Sequence, residues 1–159
     1  MFKFEYFIFE LERTIMNLAD ITTFSRRAEL AYDRICAPLC KELGFPQAAL
    51  DILLFLYNNP ELNTASSIAT YRNIKPNLIS NYVEKLVNAK YLTRCFSGKD
   101  RRIVELVLTE KGLSVGKEGK KLQEKYFEVL TEGLSKNELQ IFSDTLNSVN
   151  DNLSGYLKK

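Results

Sequence analysis

From Ser66 to Gly112 the chain changes its hydrophobic period, from helical spacing to strict alternation, and this change restricts the fold more than any other feature. The stretch predicts a short helix, a second helix and a two-stranded hairpin with a basic tip. Pro76 suits the first turn of the second helix, where a missing N–H costs nothing. Ile79, Val83 and Leu86 follow as one apolar stripe, with Tyr82 beside them. Leu92 to Phe96 reads as a strand, and Ser97-Gly98-Lys99-Asp100 supplies turn chemistry. In the return strand Val104, Leu106 and Leu108 share one face, and Ile103, Glu105 and Val107 the other.

Charge is concentrated here. Between Arg72 and Arg102 eight Lys or Arg stand against two acids, Glu84 and Asp100, while the rest of the chain carries fourteen against eighteen. A focused basic segment on a near-neutral chain points to a polyanion partner. Opposite the apolar stripe of the second helix lie Asn77, Ser80, Asn81, Glu84 and Lys85. Asn and Ser are poor residues for a helix interior, so their density needs a reason. Asn pairs bidentately with an adenine edge, and Ser reaches bases or phosphates. The plain alternative is a solvated face with capping residues. Arg94 on the outgoing strand and Lys99, Arg101 and Arg102 at the tip suit a groove or a phosphate clamp, with Asp100 placed to orient Arg102. Here the alternative is a solvated turn with a surface ion pair.

The segment resembles the winged helix-turn-helix of the MarR-type bacterial transcriptional regulators. Asp100-Arg101-Arg102 followed by Leu108-Thr109-Glu110-Lys111-Gly112 is similar to that family's wing signature, and Ile68-Ala69 and Glu84-Lys85-Leu86 fit the preceding helices. The likeness extends more weakly upstream, through Phe45-Pro46-Gln47 and Ile52-Leu53. It implies a mainly α fold with a small β-hairpin wing, in which the N- and C-terminal helices form a dimerisation stalk. It also implies a DNA surface of Lys75, Pro76, Asn77, Ser80, Asn81, Lys85, Arg94, Lys99, Asp100, Arg101 and Arg102. Asn77, Ser80, Asn81 and Lys85 would face the major groove, and Arg102, held by Asp100, the minor groove. The chain departs from the family pattern at four positions. Asn73 and Lys90 stand where a turn Gly is common, Lys75 replaces a Ser or Thr cap, and Asn81 takes a place often held by Arg.

The 159 residues are expected to form one domain, with a DNA-binding lobe at 45–112 and a helical dimerisation region at 1–44 and 113–159. His is absent, which removes the commonest general base and metal ligand. No Gly-rich phosphate loop, nucleophile elbow or metal-spaced Cys cluster occurs. Neither an enzyme nor a cofactor is expected. Three cysteines do not make a disulfide framework, so a reducing cytoplasm is the expected compartment.

At the N-terminus Phe2, Phe4, Tyr6 and Ile8 alternate like a strand, yet Phe4, Ile8, Leu11, Ile15 and Leu18 continue a helical seam for longer, and the helix is preferred. Glu5, Glu10 and Glu12 speak against a signal peptide or a membrane span, and Met16 offers an alternative start. The next helix, Thr23 to Leu43, carries Ala28, Tyr32, Ile35 and Leu39 at heptad-like steps, and Pro38 should kink it or end its regular part. Gly44 closes it, and Phe45-Pro46 opens a helix running to Asn58. Thr64 is placed to cap the short helix Ala65–Arg72, whose Ser66, Ser67 and Arg72 are placed to touch phosphates.

After the hairpin Thr109 is placed to cap a helix with apolar positions at Leu113, Leu122, Tyr126 and Leu130, and Gly116 and Gly119 should weaken its start. Gly133 ends it and Ser135-x-x-Glu138 forms a capping box. Leu139, Phe142, Leu146, Val149, Leu153 and Tyr156 then form a seam that suits a partner helix. With the first helix it predicts a homodimer; intramolecular packing of the two ends is the alternative.

Cys36 and Cys40 lie one turn apart, with Tyr32 a turn earlier. Ordinary core cysteines are the leading reading. The family resemblance adds a redox-sensing thiol, and a metal site ranks last because no His completes it. The combined expectation is a ligand-responsive repressor that binds double-stranded DNA as a homodimer, its ligand small and aromatic or apolar. Phe24, Tyr32, Phe45, Phe55 and Tyr71 are candidates for lining the ligand's pocket, though each on its own reads more simply as core. The rival is a helical dimeric interaction module whose winged helix leaves DNA alone.

Overall fold

The computed structural model describes residues 18–72, 74–96 and 103–157. The expected seam residues Phe4, Ile8, Leu11 and Ile15 lie outside these, as do Asn73 and the tip residues Lys99, Asp100, Arg101 and Arg102. The element order is α1 (Leu18–Leu43), α2 (Gln47–Asn58), α3 (Ala65–Arg72), α4 (Pro76–Asn88), β1 (Leu92–Phe96), β2 (Val104–Leu108), α5 (Glu110–Thr131) and α6 (Lys136–Leu157). Two compact units are distinguished, one ending at Gln123 and the other formed by Glu124–Lys159.

The first unit is built around α2. Its Ala49, Leu50, Ile52, Leu53, Leu54, Phe55 and Leu56 are all buried, so the helix is apolar on nearly every side and forms the centre of the core. Cys36 and Leu39 of α1, Ile68 and Ala69 of α3, and Ile79, Val83 and Leu86 of α4 close around it with Leu92 and Leu106. The helical spacing read in α4 therefore is its buried stripe.

Helix ends follow local chemistry. Gly44 (φ 69°) and Gly133 (φ 82°) adopt the left-handed backbone that a glycine accepts without strain. Thr64 Oγ1 accepts from the Ser67 N–H at 3.0 Å, and Thr109 Oγ1 accepts from the Gly112 N–H at 3.1 Å. In the second unit the capping box of α6 is formed, with the Ser135 N–H donating to Glu138 at 2.8 Å.

Helix α1 ends at Leu43, the residue read as its end, and stays helical through Pro38. Two expectations need correction. Gly116 and Gly119, read as weak points, are buried together with Gly112 and Val115 and form the face on which α5 packs. A Cβ on Gly116 would lie 2.6 Å from Tyr57 Cγ, and one on Gly119 would press into Leu54. The missing side chains let α5 approach α2 closely, a packing gain that propensity scales leave out. Leu113, read among the apolar positions of α5, is 48% exposed.

The antiparallel hairpin pairs Leu92 with Leu108, Arg94 with Leu106 and Phe96 with Val104. Alternation holds near its base, where Leu106 is buried and Val107 is exposed. Sequence reading missed a third edge. The Leu106 N–H donates to Asn63 O at 2.7 Å, and Thr64 forms an isolated antiparallel bridge with Glu105. The loop before α3 therefore fastens the hairpin to the helical core.

Candidate nucleic-acid interface

Helices α3 and α4 form a helix-turn-helix in which Ile74 N–H donates back to Ala69 O at 3.0 Å. Lys75 occupies the N-cap of α4 with extended geometry (ψ 130°) and supplies no side-chain cap, and Pro76 begins the first turn. With Ile79, Val83 and Leu86 buried, Asn77, Ser80, Asn81, Glu84 and Lys85 are all exposed on the other side. These five side chains therefore share one exposed face of α4.

Hydrogen bonding distinguishes the polar side chains. Asn77 Oδ1 accepts from the Leu78 N–H at 2.9 Å, so its acceptor is engaged locally. Ser80 Oγ donates its single proton to Pro76 O at 3.0 Å, leaving only acceptor capacity toward a partner. A phosphate needs a donor, so Ser80 in this rotamer is better suited to meeting a base amino group than a phosphate. The Lys85 ammonium lies 5.8 Å from the Tyr82 ring centroid while remaining at the surface.

Arg94 extends from β1 and donates to Glu84 Oε2 at 2.7 Å, joining the hairpin to α4. Arg72, expected to touch phosphate, donates instead to Asp51 Oδ2 at 3.1 Å. Asp51 also accepts from Gln47 Nε2 at 2.8 Å and from the Tyr32 hydroxyl at 3.4 Å. One half-buried carboxylate thus ties α1, α2 and the last turn of α3. Nothing in the sequence marked Asp51 as a link between helices, since Tyr32 and Arg72 lie 19 and 21 residues away in the chain. Glu84 carried a signal, being one of two acids in a strongly basic stretch.

Cys36 is fully buried and Cys40 half-buried, with the Cys40 thiol donating to Gln47 Oε1 at 3.4 Å. Burial first, and the neighbouring Cys36 next, push the Cys40 thiol up to about 11, and burial also raises Cys36. The Tyr32 hydroxyl hydrogen-bonds Cys36 and is pushed up as well, mainly by burial and then by Asp51. Among the described residues no group of three or more His, Cys, Asp or Glu gathers as a metal site.

The five aromatics proposed for a pocket differ in exposure. Phe55 is buried, Phe45 and Tyr32 are half-buried, and Phe24 and Tyr71 are exposed. Phe45 packs edge-on against Tyr91 at 5.7 Å between ring centroids, and Phe55 lies 5.2 Å from Tyr71. An open cavity of about 290 Å³ is lined instead by Leu56, Tyr57, Pro60, Asn63, Leu106, Val107, Leu108 and Leu113, at the base of the hairpin. No helix among the described residues is long and apolar enough to cross a membrane.

Residues 43–103 match the model of the MarR family, which bears out the resemblance read from the wing and the helices before it. The solved structures agree in fold. The transcriptional regulator SlyA is similar at TM-score 0.77 and 20% identity, covering 87% of this chain and 97% of its own. A MarR-family regulator from Listeria monocytogenes in complex with a 26mer DNA gives TM-score 0.76 at 18% identity, covering 91% and 95%. CouR from Rhodococcus jostii RHA1, bound to p-coumaroyl-CoA, gives 0.70 at 18%, covering 84% and 91%. A comparison with curated proteins finds no significant match.

Proposed function

We propose that this chain, whose lobe is a MarR-type winged helix-turn-helix, is a sequence-specific transcriptional regulator that acts as a homodimeric, ligand-responsive repressor on a pseudo-palindromic operator. The observation that carries the reading is the exposed polar face of α4, with Asn77, Asn81 and Lys85 aligned beside the hairpin and a fully apolar stripe behind them. A helix so backed presents short amide and ammonium groups at the depth a major groove requires. A similar fold is seen bound to a 26mer DNA in the Listeria protein, which supports the same use here.

Asn81 is the base reader in this proposal. Asn77 has its amide oxygen engaged by the Leu78 N–H, whereas Asn81 stands one turn further on the same face. Its amide offers one donor and one acceptor to adenine N6 and N7. Lys75, Lys85 and the tip residues Lys99, Arg101 and Arg102, with Asp100 orienting Arg102, supply phosphate and groove contacts. The dimer forms through α6, whose Phe142, Leu146, Val149, Leu153 and Tyr156 are all exposed within one chain. The p-coumaroyl-CoA held by CouR supports a ligand with an aromatic or apolar part.

Selection of bound sequences from random duplex DNA tests the proposal. The expected result is a two-fold-related motif with half-site centres about 10 base pairs apart, or a multiple of that. Asn81→Ala should cost about 1–3 kcal/mol on the selected site and little on random DNA. Equal weakening on both would make Asn81 a phosphate contact, and no binding at any salt concentration would favour a protein-interaction module.

A further inference from the structure

Glu84 stands where a carboxylate is least welcome. Asn77, Asn81, Glu84 and Asn88 follow one another at steps of four, three and four, so they share one stripe of α4. Glu84 is therefore on the same face as the proposed base reader, and a carboxylate there repels the phosphates of any duplex seated on it. Arg94 answers that charge from the neighbouring strand at 2.7 Å. The Arg94 guanidinium is the first cause holding the Glu84 carboxylate below the usual carboxylate range.

We infer that Glu84 sets the DNA specificity of the lobe by holding Arg94 as a neutral pair, which withholds one arginine per lobe from indiscriminate phosphate binding. The inference rests on the DNA-binding reading given above. Its physical basis is that sequence-independent affinity grows with each cation that neutralises a phosphate, whereas base reading does not. A paired Arg94 adds nothing to the net charge offered to random DNA, so discrimination is left to Asn81. The pair also joins α4 to β1.

The test compares full-length wild type with Glu84→Gln, Arg94→Ala and the double variant, on a selected site and on random duplex, across a series of salt concentrations. Both side chains are exposed, so thermal melts of the four proteins should coincide within a few degrees. Glu84→Gln should bind random duplex several-fold tighter, and its log–log salt slope should steepen by about 1 per lobe as Arg94 becomes a phosphate contact. Its specificity ratio should fall. Arg94→Ala should weaken both duplexes, because Glu84 is left uncompensated, and the double variant should regain near wild-type affinity.

Three results would overturn the inference. If Glu84→Gln lost affinity on the selected site alone, Glu84 would be a base contact, for instance to a cytosine amino group. If the double variant remained as weak as Arg94→Ala, Arg94 would be an independent phosphate contact. If wild type bound no DNA in any salt, the DNA-binding reading itself would fall. In the first two cases that reading stands and only the role of Glu84 is lost.

Discussion

Gly112 and the carbonyl of Tyr91 lie so close that a methyl group on the glycine would collide with the oxygen and press on Leu108 Cδ2 at 3.0 Å. The same carbonyl accepts from the Thr109 N–H at 3.1 Å, and the Thr109 hydroxyl bonds to Lys90 O at 2.7 Å. The end of the hairpin, the start of α5 and the turn after α4 are thus held at one point. Gly112 is required there because backbone cannot yield as a flexible side chain can.

Gly112→Ala should therefore destabilise the protein. Helix propensity favours Ala by about 1 kcal/mol, and overpacking against fixed backbone costs about 1–3 kcal/mol or more. A net loss of about 2 kcal/mol should lower Tm by roughly 4–8 °C. Gly155, with nothing within 4 Å, is the control: Gly155→Ala should be neutral or stabilising. Equal melts for the two variants would refute the close approach.

Lys90 is the single non-glycine residue at positive φ among the described residues, at 62°. The left-handed backbone costs an L-residue about 1–2 kcal/mol, part of which Gly gives back as chain entropy. Lys90→Gly should stabilise the protein by about 0.5–1 kcal/mol, read from a denaturant midpoint at unchanged m-value. A loss of stability would mean that the lysine side chain contributes more than the strain.

Thiol chemistry should be dispensable for DNA binding. A thiolate is the reactive form, and burial holds both Cys36 and Cys40 protonated at neutral pH. Alkylation at pH 8 should label the exposed Cys95 first, with Cys40 gaining reactivity only as the pH climbs toward its value of about 11. In Cys95→Ser, peroxide should leave DNA affinity unchanged. A loss of binding that Cys36→Ser abolishes would establish the sensing role instead.

The exposed seam of α6 predicts a dimer in solution. Deleting residues 135–159 should give monomer or insoluble chain, followed by sedimentation at micromolar concentration. A folded monomeric full-length protein would remove the basis for a two-fold operator.

Patterns that depend on near neighbours in the chain were legible before any coordinates. The stripe Ile79, Val83 and Leu86, the caps at Thr64, Thr109 and Ser135, the stop at Gly44 and the pairing of Leu92–Phe96 with Val104–Leu108 all follow from spacing and backbone preference. These are interactions within a turn or a hairpin, so their partners are fixed by sequence distance. Residues far apart in the chain met only in the fold. Gly116 and Gly119, which looked like weak points, became the packing face of α5 because Tyr57 and Leu54 arrive there from α2. Arg72 and Arg94 looked equally free, yet Asp51 and Glu84 reach both. Sequence sets which side chains carry charge and which lack a Cβ; tertiary structure decides which partner each one meets, because ion pairs and close contacts act over a few ångströms of space whatever their separation along the chain.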